Sequence, residues 1–214
     1  MSKISRLLLP VILTLFLILA EIIEDLFPLG SQTTGRLGPQ PLVTWDKAAF
    51  LLINVEYSNL LLDPLMKLAA YLGSVFWFGS VVYLAYKRRQ KEAFLLLIAL
   101  SIDSALNTSL KLLAGRVRPY QVIPEARVLD RGGGFSFPSG HSEASFLSAT
   151  FLAASFPRKT LLFYLFSSVI AYSRIYVGAH WPLDVVAGTT LGCGVAVLIL
   201  LFGNQILRIL RLQG

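Results

Sequence analysis

The sequence predicts an all-α membrane protein, a polytopic bundle of six transmembrane helices with an interfacial helical segment, built as one domain over residues 1–214. Three observations predict it. Of the 214 residues 55% are hydrophobic and only 14% charged, with a mean hydropathy of +0.67, far from the balance of a soluble domain. Six apolar runs of spanning or near-spanning length divide the chain. No Ser- or Gly-rich linker, low-complexity tract or internal repeat offers a domain boundary. The single cysteine, Cys193, sits in an apolar run, which excludes an internal disulfide and any cysteine-based metal framework.

The runs are 7–23, 68–86, 93–113, 141–156, 161–176 and 183–202. The first follows Lys3 and Arg6, and Glu21-Ile22-Ile23-Glu24 stands where a signal peptide needs small residues for cleavage. It is therefore expected to remain as an anchor. The stretch VTWDKAAFLLINVEYSNLLLDPLMK is interrupted by Asp46, Lys47, Asn54, Glu56, Asn59 and Asp63, too polar to cross a bilayer. It predicts one or two helices lying at the interface, with Trp45 and Tyr57 at headgroup level. The fourth and fifth runs are short, about 16 residues each, close to the lower limit of a span. They form a hairpin turning at Phe156-Pro157-Arg158-Lys159, so the chain returns beside the start of the fourth run.

Basic residues set the orientation. With the N-terminus in the cytoplasm, 10 of the 19 Lys and Arg residues fall inside, led by the YKRRQK turn, as the positive-inside rule requires. The other nine are Arg36, Lys47, Lys67, Lys111, Arg116, Arg118, Arg127, Arg131 and Arg174. They gather outside or at outward-facing span ends, which that rule does not explain. Anion binding does.

Lys111 and Arg118-Pro119 close the third run, Pro138-Ser139-Gly140-His141 opens the fourth, and Ser173-Arg174 with His180 and Asp184 joins the fifth to the sixth. In order and spacing these residues resemble the three-part signature of the type 2 phosphatidic acid phosphatases, a superfamily that includes the vanadium haloperoxidases. The signature spans 111–184, and the likeness extends over roughly 43–202 because the interfacial stretch is similar too. The resemblance implies a metal-independent membrane lipid phosphatase with a haloperoxidase-like helical core. It makes His180 the nucleophile that takes the phosphoryl group, Asp184 the carboxylate that orients it and His141 the acid for the leaving oxygen. It implies no cofactor, a lipid phosphate or pyrophosphate as substrate, and a multi-pass place in a bacterial inner membrane with the active site facing the periplasm.

The residues carry that chemistry by themselves. A phosphomonoester presents nearly two negative charges and spreads them over three oxygens during transfer, so clustered fixed cations serve it. Lys111, Arg118 and Arg174 supply three, the arginines as bidentate forks. Ser139 and Gly140 open a helix whose free amides and dipole favour an anion. A neutral imidazole is nucleophilic at one nitrogen when the other N–H is held, and Asp184, four residues beyond His180 and just inside a helix begun by Pro182, can hold it. Arg116, Arg127 and Arg131 add positive charge around the irregular loop 120–137, which predicts a basic substrate rim. That rim favours a headgroup with extra anionic groups; among the substrates that the family resemblance implies, phosphatidylglycerol phosphate, undecaprenyl pyrophosphate and the 1-phosphate of lipid A, it points to lipid A 1-phosphate first, with overlap onto the other two.

Other readings fit less. A transporter would account for six spans and for Asp103 inside the third, but broken-helix repeats are lacking and the polar residues gather at one face. A metal hydrolase could use His141, Glu143, His180 and Asp184, yet three cations would crowd the ion. PSGH is not the G-x-S-x-G elbow of a serine hydrolase. Net charge +7 in such a chain reads as attraction to lipid and phosphate rather than to nucleic acid. Asp103 and Asn107, one turn apart, fit either a functional pair or a hydrogen bond between helices. Glu143 suits the dipole of its helix's first turn, and Gly188, Gly192 and Gly194 suit close helix packing.

Overall fold

The computed structural model describes residues 40–209. The apolar run at 7–23, with Lys3, Arg6, Arg36 and Arg211, lies outside the described residues. Within them all regular structure is helical: α1 (Gln40–Leu51) continuing into a π-helical turn (Leu52–Glu56), α2 (Asp63–Tyr86), α3 (Gln90–Ala114), α4 (Pro119–Val122), α5 (Gly140–Ser155), α6 (Thr160–Tyr176) and α7 (Pro182–Ile209). A 3₁₀ turn at Pro157–Lys159 makes the predicted hairpin between α5 and α6.

Each of the last five predicted runs coincides with one long helix, and the differences lie at the ends. Helix α2 starts five residues early, at Asp63, where Pro64 suits a first turn and Asp63 lowers the apparent hydropathy. Helix α7 continues past 202 to Ile209 because Asn204, Gln205 and Arg208 weaken the apolar run without breaking the helix. By length and composition α2, the stretch Gln90–Val122 and α7 are fit to cross a membrane. Helices α5 and α6, with 16 and 17 residues, are shorter. α5 packs against α2, α3, α6 and α7 and buries Ser142, Ser145 and Ser148 among them. Its reduced hydropathy reflects contact with protein rather than lipid.

The α5–α7 contact positions the site. A Cβ on Gly188 would lie 2.5 Å from the Ser139 carbonyl oxygen, and one on Gly192 would lie 2.1 Å from that of Glu143. Only glycine lets the α7 backbone rest on the first turn of α5. Gly194 differs from expectation, since a Cβ there would meet open space. Beyond the helix ends, α1 and its π turn are tied inward by polar side chains. Buried Asn54 donates to the carbonyls of Arg127 and Tyr176 at 2.8 Å each and accepts from the Arg127 N–H at 2.8 Å. Gly178, at φ +85°, allows that junction, because a Cβ would fall 2.4 Å from the Arg127 oxygen. Trp45 and Tyr57 are exposed.

Candidate active site

The chain leaves α3 through Gly115, whose positive φ of 56° caps the helix, and then runs extended through Arg116-Val117-Arg118. Alternate residues of extended backbone point to opposite sides. Arg116 and Arg118 therefore part company.

Arg118 enters the site. Its Nη1 lies 3.3 Å from His180 Nε2 and 2.7 Å from the Ala179 carbonyl, while Nη2 reaches Gly133 O at 2.6 Å and Nε reaches Gly134 O at 3.0 Å. The triple glycine thus wraps the guanidinium, and a Cβ on Gly132 would stand 2.4 Å from Nη1. Lys111, one turn before the end of α3, donates to the carbonyls of Phe135, Ser136 and Pro138, the last at 2.6 Å. In this way its charge fixes the segment that leads into Pro138-Ser139-Gly140-His141. Arg174, at the end of α6, is 2% exposed and pairs through Nη1 with Asp130 at 2.8 Å, while its Nε is buried without a partner among the described residues.

Ser139 caps the start of α5. It donates its N–H to the Asp184 carbonyl at 3.0 Å, and its Oγ accepts from Ser142 at 2.9 Å. Thus the α5 entrance and the first turn of α7 are one unit. His141 follows, with Nε2 2.9 Å from Ser74 Oγ of α2 and its ring in the field of Arg174, Asp130, Arg118 and Lys111. His180 is 3% exposed. Its Nε2 faces Arg118, and its Nδ1 lies 3.4 Å from Asp184 Oδ2, within ion-pair distance but outside hydrogen-bond geometry. That carboxylate is itself held, accepting from the Trp181 N–H at 3.0 Å and from Arg116.

The predicted residues Lys111, Arg118, Ser139, Gly140, His141, Arg174, His180 and Asp184 therefore meet at one end of the bundle. The rim residues do not all join them. Arg116 is a correction: its side chain is 2% exposed, and it is clamped between Asp46 of α1 and Asp184 beneath Trp181, whose ring lies 4.9 Å from the guanidinium carbon. A guanidinium between two buried carboxylates cannot serve an entering substrate. Arg127 bonds Asp63 at 2.6 Å and helps anchor its loop, whereas Arg131 is exposed. Glu143, read as a dipole partner, is fully buried and accepts from Asn107.

Sequence reasoning missed Asp46, Ser74, Asp130 and the grip of Gly132 on Arg118. Asp46 alone left a signal, as one of the charged residues that interrupt the apolar interfacial stretch. The others depend on contacts between distant segments.

Burial holds the His180 imidazole far below its usual value, to about 3, with Asp184 acting in the opposite direction. The ring is thus neutral near pH 7, and its Nε2 lone pair accepts from Arg118 Nη1. Between pH 6.5 and about 3 the unfolded chain binds a proton that the folded one refuses, so stability falls as pH falls through that window. The whole shift is worth on the order of 4–5 kcal/mol. Thermal unfolding in detergent should accordingly lose more stability from pH 7 to pH 4 in the wild type than in His180→Asn.

A family model described as the PAP2 superfamily matches residues 92–208. The chain is 35% identical over 144 residues to a lipid A 4'-phosphatase of Bacteroides thetaiotaomicron, covering 58% of this chain and 63% of the relative. Thus it spans less than two thirds of that relative's length. It is 28% identical over 191 residues to an undecaprenyl-diphosphatase of Sulfolobus acidocaldarius, covering 88% of this chain and 87% of the relative. The crystal structure of Aquifex aeolicus LpxE superposes with a TM-score of 0.66 at 31% identity, over 72% of this chain and 93% of that one. A family match over more than half of the chain, laid on a fold whose described residues are all-helical with membrane-length helices, places this protein in the PAP2 superfamily.

Proposed function

We propose that the protein hydrolyses a lipid phosphate or pyrophosphate without a metal, through a phosphohistidine at His180. The observation that carries this reading is the His180 ring, with Nδ1 toward Asp184 and Nε2 toward Arg118. Such an imidazole is neutral and oriented, and its Nε2 is freed to attack when Arg118 Nη1 turns from it to a phosphate oxygen. The ester phosphorus is attacked by Nε2 while the P–O bond to the lipid breaks, and His141, which takes up a proton when the bound phosphate offsets the surrounding cations, gives it to the departing oxygen. Water then hydrolyses the phosphohistidine. Lys111, Arg118 and Arg174, with Ser139 and Gly140 at the α5 N-terminus, would hold the three phosphate oxygens. For this the Arg174–Asp130 pair must open or make room.

The substrate we favour is lipid A 1-phosphate, with activity toward phosphatidylglycerol phosphate and undecaprenyl pyrophosphate as well. The likeness to a lipid A 4'-phosphatase supports the lipid A headgroup as the substrate class. The longer match to an undecaprenyl-diphosphatase favours a second reading, in which the isoprenyl pyrophosphate is the main substrate. With Arg116 clamped and Arg127 bonded to Asp63, Arg131 is the rim cation of the three that stands exposed. The single domain is proposed to carry six spans, the run at 7–23 with α2, α3, α5, α6 and α7, in a bacterial inner membrane. The termini would be cytoplasmic and the site periplasmic, with YKRRQK at the opposite end of α2 and α3 from the site.

Purified enzyme assayed for phosphate release on these three lipids and on phosphatidic acid tests the function. Activity should survive excess EDTA undiminished, because fixed cations do the work a metal would do. Loss with EDTA and recovery with a divalent ion would overturn the metal-free mechanism. Single cysteines at Gly133 and Gln90, both exposed positions, in a Cys193→Ser background should label from opposite sides of intact spheroplasts, Gly133 from outside. The reverse pattern would invert the topology.

A further inference from the structure

Fixed cations that favour a phosphoryl group during its transfer also hold the phosphate that the transfer leaves behind. Lys111, Arg118 and Arg174 would therefore retain the product unless another anion takes its place. The partners of the three cations show which anion can. Lys111 and Arg118 are held by neutral groups, backbone carbonyls and, for Arg118, the His180 ring. Among the described residues Arg174 is the one of the three in an ion pair with a carboxylate, through Nη1 to Asp130 Oδ2 at 2.8 Å.

That pair is unequal. The Arg174 side chain is 3% exposed and that of Asp130 43%, so a change of rotamer takes the carboxylate to solvent while the arginine keeps its place. Asp130 accepts from Nη1, and Nε stays buried without a partner among the described residues. A grip of this kind is weaker than the two-pronged one that a phosphate with several oxygens can offer. The backbone is anchored separately, since the N–H groups of Leu129 and Asp130 donate to the Val177 carbonyl at 3.0 and 3.3 Å. The side chain can thus leave Arg174 and return to it without moving its loop, and its replacement leaves that anchor in place.

Resting on the lipid phosphatase reading above, we propose that Asp130 is a positioning residue that acts through Arg174 as a competitor of phosphate: it yields the arginine to the substrate and takes it back from the product. A competitor of this sort weakens the binding of every phosphate in proportion to the time it holds the arginine. In exchange it speeds the departure of inorganic phosphate, and product release is a step that limits many enzymes.

The test uses the full-length protein in detergent with inorganic phosphate as the probe, its dissociation constant read by calorimetry and its inhibition constant read against turnover of a lipid phosphate. Asp130→Asn and Asp130→Ala should each bind phosphate about tenfold more tightly than the wild type, the scale of one charge-assisted hydrogen bond at a half-exposed site, and KM for the lipid should fall in parallel. In an Arg174→Ala background, Asp130→Asn should change phosphate affinity by less than about twofold, because the competition runs through that arginine. Unchanged phosphate affinity in both single variants overturns the proposal. Weaker affinity overturns it too, by showing that Asp130 orients Arg174 instead of competing for it. Tightening that persists without Arg174 also overturns it, since the general field of the carboxylate would then be the cause. These three outcomes leave the phosphatase reading intact, whereas a wild type that neither binds phosphate nor releases it from a lipid overturns both.

Discussion

His180→Ala is expected to abolish phosphate release, by on the order of 10⁴-fold or more, as removal of an attacking group does elsewhere. The reason is local. The ring is buried and neutral, Nε2 stands 3.3 Å from Arg118, and no other imidazole lies at that position. His141→Ala should lower the rate by about 10²–10⁴-fold, the span of a general acid, while leaving the first step accessible with substrates that have good leaving groups. Comparing a nitrophenyl phosphate ester with a lipid phosphate separates the two roles: His141→Ala should recover part of its rate on the activated ester, and His180→Ala should not. Wild-type turnover in His180→Ala would end the phosphohistidine assignment.

Arg116→Ala should be the most destabilising change at the site. Its guanidinium joins Asp46 and Asp184, which are 1% and 0% exposed, and removing it leaves two buried carboxylates facing each other. Breaking such a buried pair costs about 3–5 kcal/mol. Arg116→Lys, which keeps the charge but not the two-pronged fork, should fall between. Thermal unfolding in detergent measures both. Had Arg116 been an exposed rim residue, the loss would stay within about 1 kcal/mol, so a shift that small would overturn the clamp.

Much of this protein is written locally. The five long helices follow from apolar runs, because burial in lipid or in neighbouring helices demands continuous hydrophobic stretches whatever the partners. The clustering of Lys111, Arg118, His141, Arg174, His180 and Asp184 was legible for a related reason: they are costly in an apolar chain and stand at the ends of runs that must share a face. Hairpin geometry alone brings the start of α5 near the end of α6.

What the tertiary structure decided is which charge answers which. Arg116 and Arg118 are alike in sequence, two residues apart, yet one is clamped by Asp46 and Asp184 and the other faces His180. The carboxylate that separates them sits 70 residues away in α1, beyond any local pattern. Glu143 looked like a helix-start acid, but the close approach of α3 and α5 turned it into a partner of Asn107. Glycines gave the same lesson, since Gly188 and Gly192 are required by the α5 backbone while Gly194 meets open space. Periodicity and end position can say that a residue is placed at a face, but the pairing of buried charges is set by distances between segments far apart in the chain, where electrostatic energy changes most steeply with a few ångströms.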